Sequence, residues 1–338
     1  MPASAAPDPQ SPRHPVLIGL DWGTTSLRAY LFDAYGTELQ RLQASQGILA
    51  VPEGRFRESF EALCAPWLAS DPGLPVIASG MIGSRQGWRE APYAHAPAGF
   101  EEIAGRLSRL DDAAGRVFRL VPGVQASTQM GAADVMRGEE TQVFGALAAR
   151  SLLLPADAAH RDGLFVLPGT HSKWVEVRDH RIVALRTYLT GETYAVLRSH
   201  SILGRLCADP AADDAEAQLH ARAAFDIGVQ QGHAQPGALL HLLFMVRTEG
   251  LFERFGASQL PAYLSGLLIG AEIADAWAWC GDELQPALVG STELASRYAR
   301  ALHLLGLPAS IASEECTAEG LFAIAVRAGL VPNYLKMV

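Results

Sequence analysis

Hydrophobic and polar positions alternate between short apolar runs bounded by turn residues and longer stretches with helical spacing, the pattern of an α/β protein. The first run, residues 16–20 (VLIGL), meets the polar turn Asp21-Trp22-Gly23-Thr24-Thr25-Ser26 and continues into a second run at 28–32, which predicts a β-hairpin. A third strand at 37–42 would complete an antiparallel meander. Residues 56–68 carry Phe56, Phe60, Leu63 and Trp67 on one helical face. Strands are expected at 75–78 and 117–121, with amphipathic helices at 103–110 and 143–150. Strand, turn and strand recur over 164–179 (LFVLPGTHSKWVEVRD), followed by a strand at 181–187 and a helix opening at Thr190. From 214 to 279 the pattern is almost wholly helical, with segments near 215–232, 239–255 and 260–279, and Trp277 and Trp279 read as core. Residues 286–293 (PALVGSTE) read as a buried strand, a glycine turn and the start of a helix over 293–305 that Ser291 or Thr292 caps. A last helix is expected at 318–328.

The two hairpins share their turns as well as their strands. Each reads Gly-Thr-x-Ser, at Gly23 to Ser26 and Gly169 to Ser172, and an Asp follows ten residues after each Gly, at Asp33 and Asp179. The recurrence predicts a duplicated α/β unit whose halves grip a polyphosphate from both sides; for either hairpin alone an ordinary polar turn is the alternative. Neither turn opens a helix, which argues against a Walker loop or a dinucleotide fingerprint. The division expected is a tail at 1–15, a first domain at 16–142 on the substrate side, and a second at 143–338 on the nucleotide side, with a helical insertion and a last helix returning to the interface. The tail, MPASAAPDPQSPRHP, is rich in Pro, Ala and Ser and reads as disordered.

Composition narrows the function classes. The chain has 338 residues, 49% of them hydrophobic, but the apolar runs are too short to span a bilayer, so a soluble protein with no membrane partner is expected. A formal charge of −9 without a Lys/Arg cluster argues against a nucleic-acid groove. Cys64, Cys207, Cys280 and Cys316 lack C-x-x-C spacing, which suggests neither a zinc site nor a disulfide framework and fits reduced thiols in the cytoplasm.

Candidate chemistry follows the turns. Gly23 lets a ligand approach the backbone, while Thr24, Thr25 and Ser26 offer hydroxyl and N–H donors to anionic oxygens, and Asp21 stands where a hydrated Mg2+ could be held. In the second turn Gly169, Thr170, His171 and Ser172 take the same part, and Lys173 adds positive charge. Asp134, Glu139 and Glu140 lie before the helix expected at 143–150. Glu139 reads as a partner of the helix dipole, whereas Asp134 or Glu140 could accept the proton of a hydroxyl attacking phosphorus; spacing does not separate those two. The loop 79–93, with Ser79, Gly80, Met81, Arg85 and Arg89, suits a small carboxylate-bearing ligand that Arg85 or Arg89 would pair with, or else is a surface loop with solvated arginines. The turn at Gly290 and Ser291 would let a flat adenine approach the backbone.

Together these turns resemble the actin-like ATPase superfamily, which includes sugar kinases, actins, chaperone ATPase domains and exopolyphosphatases. More specifically, LDWGTTSLRAYLFD, SGMIGSRQGWREAPY, DVMRGEETQ, LPGTHSKW and YLSGLLIGAEI resemble the 2-dehydro-3-deoxygalactonokinase family. The resemblance implies a two-domain, ribonuclease H-like fold with mixed sheets flanked by helices, and ATP with Mg2+ and substrate in an interdomain cleft. It also implies phosphorylation of 2-dehydro-3-deoxy-D-galactonate at its 6-hydroxyl in cytoplasmic galactonate breakdown. An exopolyphosphatase-like hydrolase and a nucleotide-switch protein are the other classes weighed. The preference between galactonate- and gluconate-derived epimers and the oligomeric state stay open, a homodimer among the options.

Overall fold

The computed structural model describes residues 14–111, 115–128, 130–153, 162–209, 211, 213–313 and 315–331. Nearly all of the tail expected at 1–15 lies outside them. Tertiary contacts divide the chain into two units. The first comprises residues 1–125, 135–156 and 315–338, and the second 126–134 and 157–314.

The first unit is built on β1 (Pro15–Trp22), β2 (Leu27–Asp33), β3 (Glu38–Ala44), α1 (Phe56–Ser70) and β4 (Val76–Ser79). After β4 come the short β5 (Ala94–His95), α2 (Phe100–Ala104), β6 (Ser108–Asp111) and β7 (Val117–Leu120). The sheet order is β3-β2-β1-β4-β7-β6, with β2 antiparallel and β4 parallel to the central β1. β1 carries a continuous apolar run because both of its faces are covered, whereas the edge strand β3 alternates with polar residues. One face packs Trp22, Leu27, Phe56, Phe60, Trp67 and Phe118 into a buried core.

Residues 103–110 were expected to form one helix, but the helix ends at Ala104 and Ser108–Asp111 pairs antiparallel with β7. Gly105 follows the helix, and the edge of the sheet offers a ladder that helical spacing does not reveal. β8 (Val124–Ser127) and β9 (Ala133–Met136) carry the chain out of the first unit and back, and α3 (Glu139–Leu153) follows. The helix expected at 143 therefore begins at Glu139.

The second unit repeats the plan. β10 (Gly163–Leu167), β11 (Ser172–Arg178) and β12 (Arg181–Tyr188) form the meander, followed by α4 (Thr190–His200), α5 (Ala215–Ala234), α6 (Leu239–Leu251) and α7 (Leu260–Cys280). β13 (Pro286–Leu288), α8 (Thr292–Leu304) and β14 (Ser310–Ile311) close it. The order is β12-β11-β10-β13-β14, and β10, buried throughout, has an antiparallel neighbour on one side and a parallel one on the other, as β1 does. Trp277 and Trp279 are half-buried against its core.

The last helix, α9 (Cys316–Arg327), belongs to the first unit, where it packs on α3. Gly145 and Gly320 make the crossing close: a Cβ on either would overlap the other helix's backbone, at Cys316 and Thr141 respectively. The boundary read from sequence at 142/143 thus differs from the division by contacts, which keeps α3 and α9 with the first sheet.

Candidate active site

In the first unit the turn between β1 and β2 is closed by Gly23 N donating to Ser26 O at 2.9 Å, and leaves Thr24 and Thr25 exposed at its tip. Gly47 backs it, with Ile48 N donating to Gly23 O at 3.0 Å. The outer face is open, since a Cβ on Gly23 would meet only Ser26 O at 3.7 Å. Asp21, at the end of β1 with its side chain 22% exposed, lies 3.4 Å from Arg28 Nη1. Burial raises its pKa, the Arg28 charge opposes that rise, and Glu139 adds to it.

The first turn of α3 carries two carboxylates that fold back onto the preceding backbone. Arg137 N donates to Glu139 Oε2 at 2.9 Å, and Gly138 N to Glu140 Oε2 at 2.7 Å. Glu140 is wholly buried; its Oε1 accepts from Thr141 Oγ1 at 3.2 Å and from Ser79 Oγ at 3.4 Å. Burial first, and then the Glu139 charge, push its pKa up to about 8, against the hydrogen bond from Gly138 and the Arg137 charge. Asp134, expected beside it at the helix mouth, is grouped instead with the second unit, where its Oδ2 accepts from Thr187 N at 2.8 Å and its Oδ1 from Thr187 Oγ1 at 2.6 Å.

Ser79 ends β4, and Gly80 follows with φ 93°, where a Cβ would stand only 2.8 Å from Trp22 O. Of the arginines in this loop, Arg85 is paired with Glu90 at 3.0 Å on the surface, and Arg89 is exposed. Trp88 pins the loop by packing on Phe56 and Phe118. Met81 is half-buried against the same core. Sequence reasoning missed Arg137, a buried guanidinium that donates to Ala91 O at 2.7 Å and stacks over the Tyr93 ring at 4.3 Å.

The second turn leaves Thr170 and His171 exposed and Gly169 open, since a Cβ there would meet only His171 O at 3.8 Å. His171 Nε2 lies 2.6 Å from Glu192 Oε2. Ser172, expected among the phosphate donors, is fully buried and gives its hydroxyl to Glu272 at 2.7 Å, so the turn offers it no path outward. Lys173 is also buried, and its Nζ donates to Thr187 Oγ1 at 3.0 Å. Gly290 has φ 146°, and Ser291 beside it is the N-cap of α8, although its hydroxyl makes no capping bond.

Two adjoining cavities lie in this unit. The larger, about 600 Å³, is lined by Tyr194, Arg222, Phe225, Arg297 and Arg300 among others. The smaller, about 60 Å³, runs along Gly169, Thr190, Gly191 and Tyr298, and the two share Tyr194, Ser265 and Arg297. The larger is of a size to enclose a nucleoside. Its residues went unread in the sequence because they sit on four helices and two loops that spacing alone marks as cover.

Among the described residues no three His, Cys, Asp or Glu side chains are grouped to hold a metal ion, and no helix is long and apolar enough to cross a membrane. Two mixed sheets of one order, each with a polar hairpin turn at the end of its central strand, define the actin-like ATPase class. Residues 21–324 match the model of the 2-keto-3-deoxy-galactonokinase family, and the chain belongs to that family. It is 36% identical over 310 residues to the Rhizobium meliloti (strain 1021) protein named probable 2-dehydro-3-deoxygalactonokinase DgoK1, covering 90% of this chain and 95% of that protein. It is 32% identical over 309 residues to 2-dehydro-3-deoxygalactonokinase of Escherichia coli (strain K12), covering 91% and 97%. A crystal structure assigned as a 2-dehydro-3-deoxygalactonokinase protein from Sinorhizobium meliloti is similar with a TM-score of 0.81 and 35% identity, covering 92% of this chain and 98% of that one.

Proposed function

We propose that the chain transfers the γ-phosphoryl group of ATP to the 6-hydroxyl of 2-dehydro-3-deoxy-D-galactonate, giving the 6-phosphate and ADP in cytoplasmic galactonate breakdown. The observation that carries this reading is Glu140. In a chain of this family, it is a buried carboxylate with its pKa pushed up to about 8, in the same unit as the Asp21 turn and the Ser79 loop. A carboxyl group tuned toward neutrality suits a general base.

In this reading the C6 hydroxyl loses its proton to Glu140 by way of the Ser79 hydroxyl, which donates to Glu140 Oε1 at 3.4 Å. The C6 oxygen forms a bond to the γ-phosphorus as the bond from that phosphorus to the β–γ bridging oxygen breaks, and ADP carries away the electron pair. Asp134 is assigned the lesser part, because both of its oxygens are engaged by Thr187. Arg85 and Arg89, with Ser79, Gly80 and Met81, would receive the sugar-acid end.

Each turn by itself fits phosphate oxygens: the first through the open face of Gly23 and the exposed Thr24 and Thr25, which Ser26 would support, and the second through the open face of Gly169 and the exposed Thr170 and His171. Asp21, a single partly exposed carboxylate, fits an Mg2+ that keeps most of its waters. When bound, the ion would neutralise developing charge on the phosphate oxygens. The cavities beside Gly169 would take the nucleoside, with Gly290 and Ser291 at the head of α8.

Identifying the product by phosphorus–proton correlated NMR tests the reading. Phosphate on carbon 6 supports it, and release of free phosphate alone would overturn it in favour of a hydrolase.

A further inference from the structure

Glu272 of α7 is 4% exposed and receives hydrogen bonds from four side chains far apart in the sequence. Ser172 Oγ donates to its Oε1 at 2.7 Å and Trp174 Nε1 to the same oxygen at 2.8 Å. Tyr298 OH donates to Oε2 at 2.7 Å, and Thr190 Oγ1 donates to that oxygen too. All four donors are neutral, and together they occupy about the full acceptor capacity of a carboxylate. Burial raises the pKa of Glu272, and these hydrogen bonds hold it down.

The four donors surround the second turn. Ser172 and Trp174 begin β11 as it leaves that turn, Thr190 opens α4, and Tyr298 stands on α8 after Gly290. Thr190 and Tyr298 also line the smaller cavity with Gly169 and Gly191, so the network fixes two of its walls from behind. The Ser172 and Thr190 hydroxyls spend their protons on Glu272, which leaves ligand contacts at this turn to the backbone, Thr170 and His171.

We infer that Glu272 is a positioning residue for the donor nucleotide: it holds the second phosphate turn and the helix after Gly290 in one fixed relation, and nucleotide affinity depends on it. The identity of the ligand rests on the phosphotransfer reading above. An apolar residue of similar size would leave four buried donors without acceptors, while Gln would turn one acceptor into a donor facing the Trp174 N–H or the Thr190 and Tyr298 pair.

The test uses the full chain as wild type, Glu272→Gln, Thr190→Val and Tyr298→Phe. ADP affinity is measured by calorimetry and both Michaelis constants by ADP release, with thermal unfolding alongside. Expected is a loss of ADP affinity of about tenfold or more for Glu272→Gln and about threefold for each single-donor variant, with KM for ATP rising in step and KM for the sugar acid within about twofold of wild type. Unchanged ADP affinity in the folded variants, or equal rises in both Michaelis constants, would overturn the inference. Should Glu272→Gln fail to fold, the two single-donor variants decide by the same readings. A wild type that binds ADP but ignores the sugar acid would sink the functional reading and leave the ADP comparison standing.

Discussion

Gly191 lies so close to Gly169 that a Cβ on Gly191 would overlap the Gly169 carbonyl oxygen, and Glu192 N donates to Thr170 O at 2.9 Å. Gly47 stands in the same relation to Thr24 in the first unit, with Ile48 N donating to Gly23 O. Each polar turn is therefore pressed into shape by a following segment that only glycine lets approach. Gly191→Ala and Gly47→Ala should each push a turn out of place, at a cost of about 1–3 kcal/mol in urea unfolding. KM for ATP should rise about tenfold or more. Normal ATP affinity in both would show that these turns do not carry the nucleotide.

The two candidate bases separate by their partners. Glu140→Gln should lower kcat by about 10²- to 10⁴-fold while ADP binding survives. Asp134→Asn keeps one acceptor but faces an amide toward Thr187, and should cost about 1–2 kcal/mol of stability with kcat changed less than about tenfold. Stopped turnover in Asp134→Asn beside an active Glu140→Gln would reverse the assignment.

Glu140 also makes stability depend on pH. Its folded pKa of about 8 lies above its ordinary 4.5, so between those values the folded state holds a proton that the unfolded state has released. Below that window both states are protonated and nothing is lost. Inside it, stability should fall as pH rises, by up to about 1.4 kcal/mol per pH unit, until the folded group ionises near pH 8. Urea unfolding at intervals across this window should show a flatter pH dependence for Glu140→Gln than for wild type; parallel curves would remove Glu140 as the titrating group. For catalysis the direction is opposite, because the base must be ionised, so kcat/KM should climb toward pH 8.

Arg85 forms a surface pair with Glu90 and has little structural work, so Arg85→Ala should change stability by less than about 0.5 kcal/mol. If the loop grips the sugar acid, Arg85→Ala or Arg89→Ala should raise KM for it about tenfold with kcat nearly kept. Two variants with wild-type KM would leave the loop without that role.

What the sequence disclosed is what is local. The hairpins at Gly23 and Gly169 were legible because turn residues and flanking strands lie within a few positions of one another, and their recurrence pointed to the two sheets of one order. Glu272 was not legible, since Ser172, Trp174 and Thr190 stand 100, 98 and 82 residues away and a lone Glu in an apolar helix carries no sign of its partners. Ser172 was read as a phosphate donor for the same reason, the turn pattern saying nothing of which way its hydroxyl faces. Asp134 and Glu140 looked like neighbours by spacing, yet Thr187 on β12 takes one of them and α3 carries the other. The edge strand at 108–111 was hidden because its ladder partner, β7, rather than its own spacing, decides its conformation.

The most direct measurement is ADP release from Mg2+-ATP with and without 2-dehydro-3-deoxy-D-galactonate, beside its gluconate epimer. Strong stimulation by the galactonate compound is expected, with little free phosphate. Steady phosphate release that neither acid changes would contradict the phosphotransfer reading.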